Sequence, residues 1–502
     1  DDVILELMDV HQNDLISVLH SMVRRVPIDG KCTMKMPIIR KRPDLSKFRD
    51  TDLYNEIKYL SGYSSDDNLN ENLSIEKMLM KRENGIGKRQ CGSFSENDSR
   101  KISNMYIPNR KVERLMSLET KIFCSKFNKS GSRLITASQD HVIRIFDASQ
   151  GTYLRTNRIV ARDVSWCILD IDFSPDEQSF VYATWSDYLH VSRIDGTAEE
   201  LQCLHLDPDH TRLCVFSVRF SPCGEYIMAG ANDSCIYFYN RELGRRTTKV
   251  RNLNSEYEDV NAVSFIDSSS NLFVSGDDDG YIKLWDSRCL NGKYVSAFLG
   301  HFDGITYIDS RNDGRYFLSN SKDQSIKIWD LRNPTPTDKI SNQRPIRCNW
   351  DYRWDNVPRD FYNPTKEIDG DTSIMTYRGH RVTKSLIRAK FSPLEQTGQR
   401  YIYTGCGTGR VIIYDVLTGQ IKEAIEGHCH IVRDVDWHPV RSEIISSSWD
   451  YYVNLNKYAR PNSQKRRNSG LSSSETQQPL RRSRRIALLK TQKQESDQDM
   501  DS

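Results

Sequence analysis

Two arginines carry the clearest chemical signal in the sequence: Arg288 in Trp285-Asp286-Ser287-Arg288, and Arg332 in Trp329-Asp330-Leu331-Arg332. Each follows an aspartate by two residues, so a planar fork of donors is offered beside a turn carboxylate, which suits pairing with acceptors on another protein. Other groups of chemical interest are weaker. Thr404-Gly405-Cys406-Gly407-Thr408-Gly409 has the glycines of a phosphate-cradling loop. Such a loop has to join a strand to a helix, whereas this one falls between two strand-like segments. His428, Cys429, His430 and His438 are metal-ligand types in one neighbourhood, but each has a place in a regular turn pattern. Asp277-Asp278-Asp279-Gly280 lacks the spaced ligands and distal glutamate of a calcium loop. The cysteines include no CxxC pair and read as reduced thiols. No nucleophile, base and orienting residue stand together, so recognition is expected rather than catalysis, with no catalytic residue, metal or cofactor.

Whether the two arginines share a surface depends on the elements that carry them. One unit recurs along the chain: an apolar strand ending in an aromatic, a turn, a small-residue strand, an Asp-containing turn, and a strand ending in an aromatic. Taking the end of the first strand as marker, the units fall at Phe127, Phe173, Phe220, Phe265, Ile308, Phe391 and Trp437. The spacing is 43 to 47 residues except between Ile308 and Phe391, where 83 residues imply an insertion of about 40. Phe146-Asp147, Tyr239-Asn240, Trp285-Asp286, Trp329-Asp330 and Tyr414-Asp415 share one phase, from which Arg193 and Asn456 depart. The period matches WD-repeat blades and predicts an all-β, seven-bladed WD-repeat β-propeller over residues 106–459.

One blade cannot bury both faces of its sheet, so the ring has to close, and the segment with Tyr106, Ile107, Val112 and Leu115 is the candidate closing strand. WD-repeat blades bury a network of a loop His, a strand Ser or Thr, a turn Asp and a strand Trp. The fifth unit supplies all four as His301, Ser319, Asp323 and Trp329. The fourth keeps Ser275, Asp279 and Trp285 without the His, and the seventh keeps His428, Ser446 and Asp450 without the Trp.

Three segments lie outside the repeat. Residues 1–105 read as mostly disordered or loosely docked, with an amphipathic helix over 2–24 that either caps the propeller or meets a partner. The insertion, placed at 333–378, holds Trp350, Tyr352, Arg353 and Trp354 and reads either as a binding surface or as a plug against the ring. The tail, 460–502, reads as disordered. Its basic clusters, Lys465-Arg466-Arg467 and Arg481-Arg482-Ser483-Arg484-Arg485, are either a nuclear-import signal or solvated charge. A net charge of only +3 does not mark the whole chain as a nucleic-acid binder. No apolar run reaches the roughly 18–20 residues of a membrane helix, and no signal-peptide pattern opens the chain. Nucleus and cytoplasm are the expected compartments, with neither a membrane nor direct nucleic-acid contact.

Two Trp-Asp-x-Arg strings in consecutive blades resemble the signature of the WD-repeat substrate receptors of cullin-four RING ubiquitin ligases. Trp350-Asp351-Tyr352-Arg353 spells the same string out of phase and is set aside. The similarity extends through Ala161–Trp166, Thr184–Tyr188, Asp303–Thr306, Ser319–Asp330, Asn349–Trp354, Met375–His380, Arg433–Val435 and Ser446–Asp450, and so covers most of the propeller. It implies that Trp285, Asp286, Arg288, Trp329, Asp330 and Arg332 form the contact to the ligase adaptor, damage-specific DNA-binding protein one, and through it to cullin-four. Protein substrates, including stress-response transcription factors, are what the resemblance implies for the other side. The alternative is a nuclear scaffold for chromatin or RNA-processing complexes with no ligase.

Overall fold

The computed structural model describes residues 34–39, 43–63, 75–84, 94–207, 213–251, 258–290, 292–342, 350–362, 364 and 368–460. The helix expected over 2–24 and the basic residues Lys465, Arg466, Arg467, Arg481, Arg482, Arg484 and Arg485 lie outside the described residues.

Seven four-stranded antiparallel sheets form the seven blades of a propeller, and six of them are simple meanders of consecutive strands. The seventh combines Val432–Trp437, Glu443–Ser448 and Tyr452–Lys457 with Arg110–Ser117, which pairs antiparallel to Tyr452–Lys457 from Arg110 opposite Lys457 to Ser117 opposite Tyr452. That clasp joins the two ends of the repeat array and removes the open edges the array would otherwise leave. The innermost strands end on the expected aromatics in six blades. The exception is blade five, where Ile305–Ser310 ends on Ser310, opposite Phe317, so Ser310 and not Ile308 holds the marker position. The fourth strand of that blade is Met375–Arg378, so the insertion ends before it and not at Arg378.

Turns between first and second strands and between third and fourth strands emerge on one face, the lower face. Second-to-third turns and the loops between blades emerge on the upper face. Among its described residues the N-terminal region contributes four helices: α1 (Ser46–Arg49), α2 (Asp52–Leu60), α3 (Ile75–Glu83) and α4 (Glu96–Ser103). They fall in the stretch read as mostly disordered or loosely docked, in an extension expected to be partly helical or disordered. Thr51 caps α2 by accepting from the Tyr54 N–H at 3.3 Å, and Ser95 caps α4 by accepting from the Asp98 N–H at 2.8 Å. Phe48, Leu53 and Ile57 are fully buried with Tyr316, Ile328, Met375, Tyr377 and Phe391 of blades five and six. Burying three such side chains contributes about 1.5–3 kcal/mol each, enough to hold a short segment in place.

The blade-five network forms as the repeat predicts. His301 is 2.7 Å from Ser319 Oγ through Nε2 and 3.0 Å from Asp323 Oδ2 through Nδ1, and the Trp329 indole N–H donates to Ser319 Oγ at 2.8 Å. Burial alone would raise the Asp323 carboxyl, but His301 and the hydroxyl of Ser325 outweigh it and hold the acid well below its usual range. Blade seven completes the network without a tryptophan: Asn456 occupies the Trp position opposite Ile444 and donates to Ser446 Oγ at 3.0 Å. Blade four lacks the His and instead buries Lys283 between Asp277 and Asp279. Ser319→Ala is expected to orphan a buried indole N–H and cost about 1–3 kcal/mol, read as a lower urea midpoint. An unchanged midpoint would mean the network does not hold the blade.

Inner strands meet across the central channel through charge. Asp170, on blade two, accepts from Arg219 of blade three at 2.5 Å and lies 2.7 Å from Arg388 of blade six. Arg388 continues to Asp434 at 3.0 Å, and Lys390 to Asp436 at 2.8 Å. Carboxylates on these strands also accept backbone N–H groups of the next blade: Asp172 from Phe220 at 2.8 Å, and Asp436 from Phe127 at 2.6 Å. Asp309 does the same to Phe391 at 2.8 Å, yet burial pushes its carboxyl up to about 6 despite that bond and Lys390. Below about pH 4 the group is protonated folded and unfolded alike; between about 4 and 6 only the unfolded chain loses the proton, so stability falls as pH rises through that window and stays lower above it. Asp309→Asn keeps an acceptor and removes the charge. It is therefore expected to stabilise the fold more at pH 8 than at pH 4, by on the order of 1–2 kcal/mol in urea unfolding, and an equal effect at both would contradict this.

Candidate functional site

Blades four and five set the geometry of the two Trp-Asp-x-Arg strings. Trp285 and Trp329 end their third strands facing inward, 1 % and 0 % exposed. Trp285 stacks on Phe273 with its N–H on Ser275 at 3.1 Å, and Trp329 stacks on Phe317. The tryptophans therefore position the turn and do not face a partner, which corrects their expected place among the contact residues. Asp286 and Asp330 follow at the strand ends, half-buried, and the chain turns on the lower face. Arg288 and Arg332 emerge there on neighbouring blades, with side chains 69 % and 61 % exposed.

The two arginines are held differently. Asp286 accepts the Arg288 backbone N–H at 3.0 Å and grips its guanidinium through Nε at 2.9 Å and Nη2 at 2.6 Å. These bonds, first that to the guanidinium, draw the Asp286 carboxyl down to about 2. Asp330 also accepts its arginine's backbone N–H at 3.0 Å, but its other oxygen is taken by Arg315, through Nε at 3.0 Å and Nη2 at 2.8 Å. Arg332 is left 3.6 Å from Asp330 Oδ1 and reaches outward to Asp52 of α2 at 3.3 Å. Arg315 shares that carboxylate at 3.0 Å, and Arg311 pairs with Glu56 at 3.0 Å. The helix α2 thus borders the arginine rim. Sequence reasoning missed it, although Thr51 and Asp52 at a helix start and Leu53 with Ile57 one turn apart are its signals.

The out-of-phase string Trp350-Asp351-Tyr352-Arg353 shows that the aspartate clamp alone is not a blade property. Arg353 bonds Asp351 through Nε at 3.0 Å and Nη2 at 2.7 Å, as Arg288 does Asp286. It lies on the upper face, where the Trp350 N–H donates to Asp303 at 2.7 Å and Lys322 sits 4.2 Å over the Tyr352 ring. Trp350 and Tyr352 are docked, whereas Arg353 and Trp354 are exposed. Trp350 and Tyr352 thus fasten the insertion to the propeller, and the Trp354 ring remains outside.

The remaining candidates resolve into structural roles. His428 pairs with Asp450 and Ser446, and His430 lies against Trp449. His438 accepts from the backbone of Val440 and Arg441, each at 3.0 Å, so the histidines do not converge. The Thr404–Gly409 glycines make the turn between Tyr401–Gly405 and Arg410–Asp415, with Gly409 at φ +81° and no helix following. Asp279-Gly280 is likewise a strand-joining turn, with Gly280 at φ +79°. Among the described residues one His/Cys/carboxylate group does gather: Asp163, His190 and Cys203 place one donor atom each within 4.8 Å of one another. There His190 is bonded to Asp163 at 2.8 Å and stacked on Tyr182. No helix in the described residues is long and apolar enough to cross a membrane.

Comparison with known proteins agrees with this architecture. The WD domain, G-beta repeat family model matches residues 113–147, 201–240, 247–286, 292–330 and 419–455. A Caenorhabditis elegans protein named DDB1- and CUL4-associated factor 11 homolog is 36 % identical over 422 residues, 80 % of this chain and 70 % of its own length. Its Caenorhabditis briggsae counterpart is 38 % identical over 375 residues, 70 % of this chain and 65 % of its own length. The LEC14B protein of Lithospermum erythrorhizon is 37 % identical over 394 residues, covering 75 % of this chain and 81 % of its own length. The chain belongs to the WD-repeat family that includes the DDB1- and CUL4-associated factor 11 homologs and the LEC14B proteins.

Proposed function

We propose that this chain is a substrate receptor of a cullin-four RING ubiquitin ligase, docking on the adaptor damage-specific DNA-binding protein one through its lower face. The observation that carries the reading is the placement of Arg288 and Arg332, exposed on one rim of adjacent blades and each oriented by a carboxylate. Names of relatives that mention association with that adaptor and with cullin-four support it. The chemistry is tethering: arginine forks meet acceptors on the adaptor, while a different surface holds the protein to be ubiquitinated. No bond is made or broken by this chain. The test is affinity purification of the tagged chain from cells of its own source. Adaptor and cullin-four in stoichiometric recovery support the receptor reading; their absence leaves a propeller scaffold for nuclear complexes.

A further inference from the structure

The upper face carries a row of aromatic rings that the docking rim does not use. Trp185, in the second-to-third turn of blade two, lies 6.1 Å from Trp166, in the loop between blades one and two. Trp166 continues to Phe123 at 5.6 Å, Phe123 to Trp449 at 5.7 Å, and Trp449 to His430 at 6.0 Å. The outer pair is solvent-facing, with Trp166 43 % and Trp185 48 % exposed, while Trp449 is 5 % exposed. Two exposed tryptophans in mutual contact form an apolar patch of the kind that marks a binding site, and tryptophan is among the residues that dominate interface energetics.

Two cations, Lys121 and Lys384, stand beside the rings. Lys121 sits 4.5 Å over the Trp449 ring. Lys384 lies close enough to disfavour the Lys121 charge, and both cations, after burial, push the His430 imidazole down to about 4. Lys384 sits in a left-handed turn, φ +63°, with its backbone N–H donating to the Tyr352 carbonyl at 2.7 Å, so the insertion fixes the backbone that carries this cation. The carboxylates of the tryptophan loops are engaged elsewhere, Asp163 by His190 and Asp187 by His205. One donor is unused: the Trp449 indole N–H has no acceptor among the described residues.

We infer that the upper face from Trp185 to Lys384 binds an acidic peptide segment of a partner protein, one that seats a bulky apolar side chain on the Trp166–Trp185 pair and sets carboxylates against Lys121 and Lys384. It deepens the receptor reading, on which it rests, by assigning the substrate a face opposite the arginine rim. Complementary potential selects acidic partners, and the rings supply an anchor that a charge match alone lacks.

The test uses the full chain and a fluorescein-labelled, glutamate-rich peptide with a central Trp-Phe pair. Controls are the same peptide with alanines for the aromatic pair and with lysines for the glutamates. Wild type is expected to bind the first peptide saturably below about 100 µM, and each control at least about ten-fold more weakly. Trp166→Ala plus Trp185→Ala, and separately Lys121→Ala plus Lys384→Ala, are expected to weaken it by about ten-fold or more while adaptor binding, measured on the same samples, is unchanged. A wild type that ignores the peptide, equal binding of the lysine control, or full binding by both variants overturns the inference. Peptide binding without adaptor binding overturns the receptor reading and leaves this site standing.

Discussion

Replacing Arg288 and Arg332 together with alanine is expected to weaken binding to the ligase adaptor by on the order of 100-fold or more and to leave the fold intact. Truncating one member of a desolvated interfacial charge pair costs about 2–5 kcal/mol. Both guanidinia are more than half exposed in the free chain, so the low end applies to each. A combined loss of about 4 kcal/mol is roughly 1,000-fold in affinity, and incomplete desolvation at the rim lowers this toward about 100-fold. Stability changes little, because neither side chain is part of the packed core and exposed ion pairs contribute about 0–1 kcal/mol. Titration calorimetry of the purified chain against the adaptor reads the effect directly. Unaltered affinity would remove the rim from the docking surface.

The largest expected effect on stability is that of Asp170→Ala, about 3–5 kcal/mol, seen as a fall in the urea midpoint. Asp170 is 1 % exposed and joins Arg219, Arg388 and the Val218 backbone N–H, so three blades depend on one carboxylate. Burial opposes its charge, but the two guanidinia more than compensate and hold it well below the ordinary carboxylate range. Removing it strands the buried donors of Arg219 and Arg388. Arg219 keeps the Tyr307 hydroxyl at 2.9 Å and Arg388 keeps Asp434, so the cost lies nearer the lower value. The charge contributes stability above the unfolded carboxylate range, about pH 4, and loses it as pH falls further, so the variant's deficit should shrink in acid. A deficit independent of pH would assign the loss to packing.

Much of this architecture was legible because WD-repeat blades are local. Strand ends, turn prolines and the His301, Ser319, Asp323 and Trp329 network each arise within about thirty residues of chain. The misplaced marker at Ile308 has a local cause: that strand ends in Ser310, where the other blades end in an aromatic. Harder to read were contacts set by residues far apart. Asp170-Ile171-Asp172-Phe173 and Asp434-Val435-Asp436-Trp437 share a pattern, but alternating aspartates on a strand look solvent-facing until another blade supplies the cations. Arg288 and Arg332 could both be placed on one face from their phase. Their different restraints could not, because Arg315 competes for Asp330 where blade four has Asn271. Asn456 looked like a departure from the repeat and proves to be a substitute donor. Segment α2 escaped notice because its two buried residues are set among charges.

Hydrogen exchange of the chain with and without the ligase adaptor tests the docking account most directly. The account predicts slowed exchange on the lower face, in 266–271, 287–290, 311–315 and 331–333 and in α2, with the turns and loops that carry Lys121, Trp166, Trp185 and Lys384 unchanged. Protection confined to those upper-face segments, or none at saturating adaptor, would contradict it.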